Sequence, residues 1–116
     1  NSVVSPYAGI TTVIATEFGG STNGSACSSS PCTKRNDSGS GFGTITRSGA
    51  GTYVVNFTTT FAGIPVCTCN AYSTGADAHS CIMTEITTTQ INELRSYHAD
   101  TLADSEIQVQ CVGPKQ

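Results

Sequence analysis

The sequence predicts an all-β domain, an antiparallel sandwich or jelly-roll-like barrel of roughly seven or eight short strands. Three observations favour this class. Apolar and polar residues alternate in short runs along the chain. Thr, Ser and Gly, which suit pleated surfaces and turns, are abundant, whereas only 11% of the residues are charged. Six cysteines in 116 residues would allow three disulfides to stabilise the sheets.

The clearest alternation lies in residues 51–69, where two strands are expected around a short Thr- and Gly-containing link. Tyr53 and Val55 fall on one side of the first strand, because side chains alternate between the two faces of a sheet. In the second strand, which Pro65 opens, Cys67 and Cys69 share a face. The remaining strands are expected to lie beside this pair.

Residues 1–41 predict fewer strands than the rest of the chain does. A strand is expected around residues 10–16, which are rich in Thr and β-branched side chains. Residues 19–41 are rich in Gly and Ser, so we expect a loop that is restrained only by a Cys27–Cys32 disulfide. A strand at 42–47 with Ile45 pointing inward should then turn into the Tyr53 strand as a hairpin.

A second hairpin is expected further on. Residues 67–72 and 80–86 read as strands on either side of the loop 73–79. Opposed positions in this hairpin would place Cys69 near Cys81. The loop from 99 to 104 then leads to the last strand.

Residues 91–97 alternate as a strand, with Ile91, Glu93, Arg95 and Tyr97 on one face. A helix is the alternative, since Glu, Leu and Arg favour helices, but its apolar stripe would be very short.

Residues 105–112 alternate most plainly, and this last strand would present Cys111 to the core, where Cys67 could reach it. The sequence alone leaves the full disulfide connectivity open.

Charge and composition exclude some classes of protein. A net charge of −3 and a pI near 5.0 argue against a nucleic-acid-binding protein. The cysteine content favours an oxidising compartment, so we expect a secreted or cell-surface protein. No apolar run is long enough to span a membrane, and membrane insertion is not expected. We expect one domain, 1–116, divided into a strand and loop region at 1–41 and a strand core at 42–113.

Three sequence segments resemble a known pattern. Residues 44–57, TITRSGAGTYVVNF, are followed by FAGIPV at 61–66. This run, with SEIQVQCVG at the end, is similar to the C-terminal domains of phage tail fibres and of bacterial collagen-like surface adhesins of the Legionella type. The resemblance covers about 70 residues, 44 to 113. It implies the C-terminal module of a longer protein, a homotrimer at the tip of a stalk, and binding to host surface glycans, including sulfated glycosaminoglycans.

Binding of a sulfated polysaccharide requires cationic donors, because sulfate and carboxylate accept charge-assisted hydrogen bonds. The candidate ligand-binding residues are Lys34, Arg35, Arg47 and Arg95, together with Tyr97, whose ring could stack on a sugar. Scattered solubilising charges are the simpler interpretation of these cations. Three copies in a trimer would give avidity that one copy lacks.

Two other functions stay open. The domain could be a trimerisation cap for a collagen-like or fibrous stalk, with outward apolar residues such as Val112 buried between subunits. It could also be a small secreted hydrolase using Glu93, Arg95 and His98, although His98 has the opposite strand parity. The cysteine spacings lack the paired CxxC pattern of a zinc site and no calcium-loop motif is present, so no metal, cofactor or catalytic residue is predicted.

Overall fold

The computed structural model describes residues 11–18, 27, 30–38, 41–58, 60–72 and 78–114, with the backbone alone for Glu17 and residues 35–38. Its strands are β1 (Thr11–Phe18), β2 (Lys34–Ser38), β3 (Phe42–Gly49), β4 (Thr52–Phe57), β5 (Val66–Tyr72), β6 (His79–Ile86), β7 (Gln90–His98), β8 (Thr101–Leu102) and β9 (Glu106–Pro114). Within these ranges, no helix is long and apolar enough to cross a membrane.

The described strands form two antiparallel sheets that pack as a β-sandwich. The first sheet has the order β2-β1-β9-β5, and the second has the order β3-β4-β7-β6 with β8 added beside β7. Apart from the two-residue β8, every strand in the described ranges has at least five residues. The all-β antiparallel class predicted from the sequence is therefore confirmed.

Strand β9 lies in the middle of the first sheet and shows why the chain folds this way. Ile107, Val109 and Cys111 point inward and are at most 2% exposed, whereas Gln108 and Gln110 between them are exposed. This alternation places the apolar side chains of β9 on the core face of the sheet and its polar side chains on the solvent face. β1 and β5 pair with β9 along its length.

The core lies between the two sheets. The second sheet contributes Tyr53 and Val55 from β4, both fully buried. The first sheet contributes Phe18, whose ring meets that of Tyr53 edge to face with centroids 5.3 Å apart. Such contacts add to the free energy from apolar burial, so the two sheets are held together at their centre.

Three disulfides, Cys27–Cys32, Cys67–Cys111 and Cys69–Cys81, join all six cysteines. All three predicted pairings are confirmed.

The hairpin used to predict Cys69–Cys81 is wrong, because β5 belongs to the first sheet and β6 to the second. That disulfide therefore links the two sheets. Residues 73–77 of the predicted connecting loop lie outside the described residues.

The region 19–41 is not only a loop. β2 lies within it and pairs antiparallel with β1. Cys27 and Cys32 are each 7% exposed, and the N–H of Cys32 donates to the carbonyl of Ile45 at 2.8 Å. The sequence does not predict β2, because KRNDS is polar throughout and shows no apolar alternation. The strand forms through its pairing with β1.

The predicted alternation along β7 is wrong at Ile91, the first residue of the predicted strand. Ile91 and Leu94 are both fully buried, so two residues rather than one separate these inward side chains. The pairing with β4 shifts register at the same place, as in a β-bulge. Glu93, Arg95 and Tyr97 therefore lie on the face opposite to that of Ile91.

Candidate functional site

Glu93, Arg95 and Tyr97 form a row on the outer face of the second sheet. They alternate with Leu94 and Ser96, which are fully buried. Because successive side chains of a strand point to opposite faces, the three lie side by side toward the surface. The bulge that precedes Leu94 is what puts the row on this face.

An ion pair holds the middle of the row. Nε of Arg95 donates to Oε1 of Glu93 at 2.8 Å, and the two side chains are 43% and 31% exposed. This hydrogen bond raises the pKa of Arg95, and a hydrogen bond with Tyr97 raises it further by a smaller amount. An exposed ion pair contributes little to the free energy of unfolding. It does keep a permanently charged guanidinium next to the ring of Tyr97.

Two exposed apolar side chains flank the row. Ile82 of β6 pairs with Arg95, and Leu102 of β8 pairs with Tyr97. Their exposed fractions are 50% and 39%. We call Ile82, Glu93, Arg95, Tyr97 and Leu102 the β7 patch. It brings a cation, an aromatic ring and apolar side chains together on one face of the second sheet, and these groups can contact both the charged and the apolar parts of an amphipathic ligand.

Arg47, another predicted ligand-binding residue, is engaged in a different contact. Its Nε lies 3.0 Å from Oδ1 of Asp104 and its Nη2 lies 2.9 Å from Oδ2. Asp104 also accepts hydrogen bonds from the N–H of Gly51 at 2.9 Å and the hydroxyl of Tyr53 at 2.7 Å. Arg47 has the inward parity of Ile45, so it lies on the side of the second sheet opposite to the β7 patch.

The electrostatics of this cluster follow from burial and hydrogen bonding. Burial would raise the pKa of Asp104, but hydrogen bonds from Arg47, Gly51 and Tyr53 lower it. Burial raises the pKa of the Tyr53 phenol, and the hydrogen bond with Asp104 raises it further by a smaller amount. The cluster is a structural ion pair at the end of the sandwich.

Lys34 and Arg35 lie on β2 in the first sheet. Nζ of Lys34 donates to the carbonyl of Phe42 in the second sheet. The side chain of Arg35 is outside the described residues. Of the predicted ligand-binding residues with described side chains, the structure brings together only Arg95 and Tyr97.

The predicted hydrolase residues do not converge. The register of β6 and β7 is regular up to His79 and His98, so His98 lies on the opposite face from Glu93 and Arg95. Its ring stacks on His79 at a centroid distance of 4.7 Å. Nδ1 of His79 is 2.7 Å from Oγ of Ser105, but Ser105 is only 1% exposed and inaccessible to a substrate.

No sequence signal points to Leu102 or Asp104. Leu102 is the only large apolar residue between Tyr97 and Ile107. Asp104 meets Arg47 across 57 residues of chain, and only the tertiary fold brings them together.

Within the described ranges, no three His, Cys, Asp or Glu side chains are grouped so that they could hold a metal ion. The three disulfides indicate an oxidising, extracytoplasmic environment.

No protein-family model, curated protein or solved structure matches this chain.

Proposed function

We propose that this domain is the head of a secreted or surface-attached adhesin, and that it binds host glycans carrying sulfate or carboxylate groups. The observation that supports the proposal is the adjacency of Arg95 and Tyr97 on the exposed face of β7. These two residues supply the two kinds of contact that an acidic sugar requires.

The guanidinium of Arg95 would bind the anionic group, because its planar donors match the oxygens of sulfate and carboxylate. The ring of Tyr97 would pack on the apolar face of a sugar ring. Ile82 and Leu102 extend this apolar surface on either side of the row. Glu93 holds Arg95 in place and would also accept hydrogen bonds from sugar hydroxyls.

One copy of the patch would bind weakly. The chain has a net charge of −3, and Glu93 lies beside the single described cation of the patch. Both features oppose an anionic ligand. Tight attachment therefore requires several copies on one stalk or in one assembly, since linked sites gain effective concentration. The homotrimer implied by the sequence resemblance would provide this.

The proposal can be tested with immobilised heparin, chondroitin sulfate and neutral dextran over a series from about 20 to 300 mM salt. Binding to the two sulfated polymers should weaken as salt rises, and dextran should bind less. Arg95→Gln and Tyr97→Ala should each weaken binding about 10-fold, which corresponds to about 1.4 kcal/mol. The control is Lys34→Gln, which removes one positive charge from β2 in the first sheet. Equal binding by wild type and Arg95→Gln would refute the proposal.

The two alternatives make different predictions. A trimerisation cap with no ligand of its own would have three times the 11.9 kDa mass of the chain and would bind none of the three polymers. A hydrolase would need His98 near Glu93 and Arg95, and the register of β7 separates them.

A further inference from the structure

The two histidines of this chain, His79 and His98, meet on neighbouring strands although they lie far apart in the sequence. His79 at the start of β6 pairs directly with His98 at the end of β7. Their imidazole rings stack with an angle of 4° between the ring planes and centroids 4.7 Å apart. The fold therefore brings both imidazoles of the chain to one place.

The sheet fixes the backbone beneath this pair. Strands β6 and β7 pair residue by residue from His79 to Thr84. Cys81, the next residue of β6 with the strand parity of His79, is joined by a disulfide to Cys69 of the first sheet. Because the two backbone positions are already set, little backbone entropy would be lost if both rings bound a common ion.

A hydrogen bond orients the ring of His79. Its Nδ1 lies 2.7 Å from Oγ of Ser105, which is only 1% exposed. Histidines that bind metal ions usually hold their second ring nitrogen in a hydrogen bond of this kind, which fixes the ring and its tautomer. The contact leaves Nε2 of His79 as the nitrogen for a ligand. His98 is exposed, so an ion can reach the pair from solvent.

We infer that His79 and His98 together bind one divalent transition-metal ion of the class of Cu²⁺ and Zn²⁺. Imidazole nitrogen is a preferred ligand of both ions. In a tetrahedral site with metal–nitrogen distances of about 2.0–2.1 Å, two nitrogens lie about 3.4 Å apart. A tilt of the exposed His98 ring out of the stack brings one nitrogen of each ring to that separation.

Two protein ligands make an open and weak site. Water would fill the other coordination positions, whereas structural zinc sites have four protein ligands. All six cysteines are in disulfides, so no thiolate competes for the ion. The net charge of −3 favours a cation near the chain. Cu²⁺ should bind more tightly than Zn²⁺, and Mg²⁺, which prefers oxygen ligands, should not compete with either.

Calorimetric titration of the full, untagged, disulfide-bonded chain with Zn²⁺ or Cu²⁺ would test the site. Each ion should bind the histidine pair at one ion per chain. His98→Ala should weaken Zn²⁺ binding at least about 10-fold, because one of the two protein ligands is lost. The control is Glu85→Gln, which removes an exposed carboxylate from the other end of β6 and should leave the affinity unchanged.

NMR of the wild type provides a measurement that does not rely on a variant. The Cε1–H resonances of both imidazoles should change with the same dependence on Zn²⁺ concentration. A response from one histidine alone would overturn the inference, as would equal Zn²⁺ affinity of wild type and His98→Ala, displacement of Zn²⁺ by Mg²⁺, or no binding of either transition-metal ion. No sugar is present in these experiments, so their outcome is independent of the proposed function.

Discussion

Arg47 and Asp104, 57 residues apart in the chain, form a two-pronged ion pair at one end of the sandwich. The same carboxylate also holds the N–H of Gly51 and the hydroxyl of Tyr53. Asp104 therefore ties the turn between β3 and β4 to the segment that leads into β9. The two side chains are only 24% and 19% exposed, so these hydrogen bonds are partly shielded from water.

Replacing Asp104 should destabilise the fold. Asp104→Ala removes hydrogen bonds to three residues and leaves Arg47 and Tyr53 without their shared acceptor, so we expect a loss of about 2–4 kcal/mol in the free energy of unfolding. Urea denaturation would measure it. The exposed Asp100 offers the control, since Asp100→Ala should change stability by less than about 0.5 kcal/mol. Similar values for both variants would contradict this role of Asp104.

The same carboxylate should make stability depend on pH. The pKa of Asp104 is lowered below its ordinary 3.8 in the folded state, so the unfolded chain takes up a proton at higher pH than the folded chain does. Its contribution is present above the unfolded pKa and is lost as pH falls through the folded pKa. Wild type should therefore lose more stability than Asp104→Asn between about pH 6 and pH 3. Parallel pH profiles would show that the carboxylate contributes nothing.

Gly51 should not tolerate a side chain. Its φ is +61°, and an added Cβ would lie 2.6 Å from the carbonyl oxygen of Ser96 and 2.7 Å from the N atom of Ala103. Gly51→Ala should cost about 2–4 kcal/mol, from backbone strain and this clash. Gly49, in the same hairpin, has nothing within 4 Å of such a Cβ. Thermal unfolding should therefore show a large loss for Gly51→Ala and little change for Gly49→Ala.

The disulfides should differ in stabilising effect according to the chain length that they close. Cys67–Cys111 spans 44 residues and Cys27–Cys32 spans 5. The chain-entropy model gives about 4 kcal/mol for the first and about 2 kcal/mol for the second. Paired replacement of each bridge by alanine, followed by denaturation, should reproduce this order. A greater loss from removing Cys27–Cys32 would mean that local packing, not loop closure, dominates.

Residue alternation predicts much of this fold, because the apolar residues of an alternating strand identify its buried face. Ile107, Val109 and Cys111 identify the inner face of β9 without any knowledge of its neighbours. The same parity correctly places Cys111 within reach of Cys67. Alternation does not reveal which sheet a strand joins. For this reason the sequence predicts β5 and β6 as one hairpin, whereas the structure places them in different sheets.

The candidate site is predictable only in part. Arg95 and Tyr97 share a strand face in the sequence, and the structure keeps them together. The bulge after Ile91 depends on pairing with β4, so local alternation does not show it. The engagement of Arg47 by Asp104 is a long-range contact and removes one of the expected cations from the binding surface.

The most direct test of the binding proposal is to map which backbone amides respond to a sulfated oligosaccharide in two-dimensional NMR spectra. A heparin-derived tetrasaccharide added to the folded, disulfide-bonded chain should produce its largest shift changes at Ile82, Arg95 and Tyr97. In Tyr97→Ala, about 10-fold more oligosaccharide should be needed to produce the changes at Ile82 and Arg95. Shift changes centred on Lys34 or Arg47 instead, or none at millimolar oligosaccharide, would contradict the assignment of ligand binding to the β7 patch.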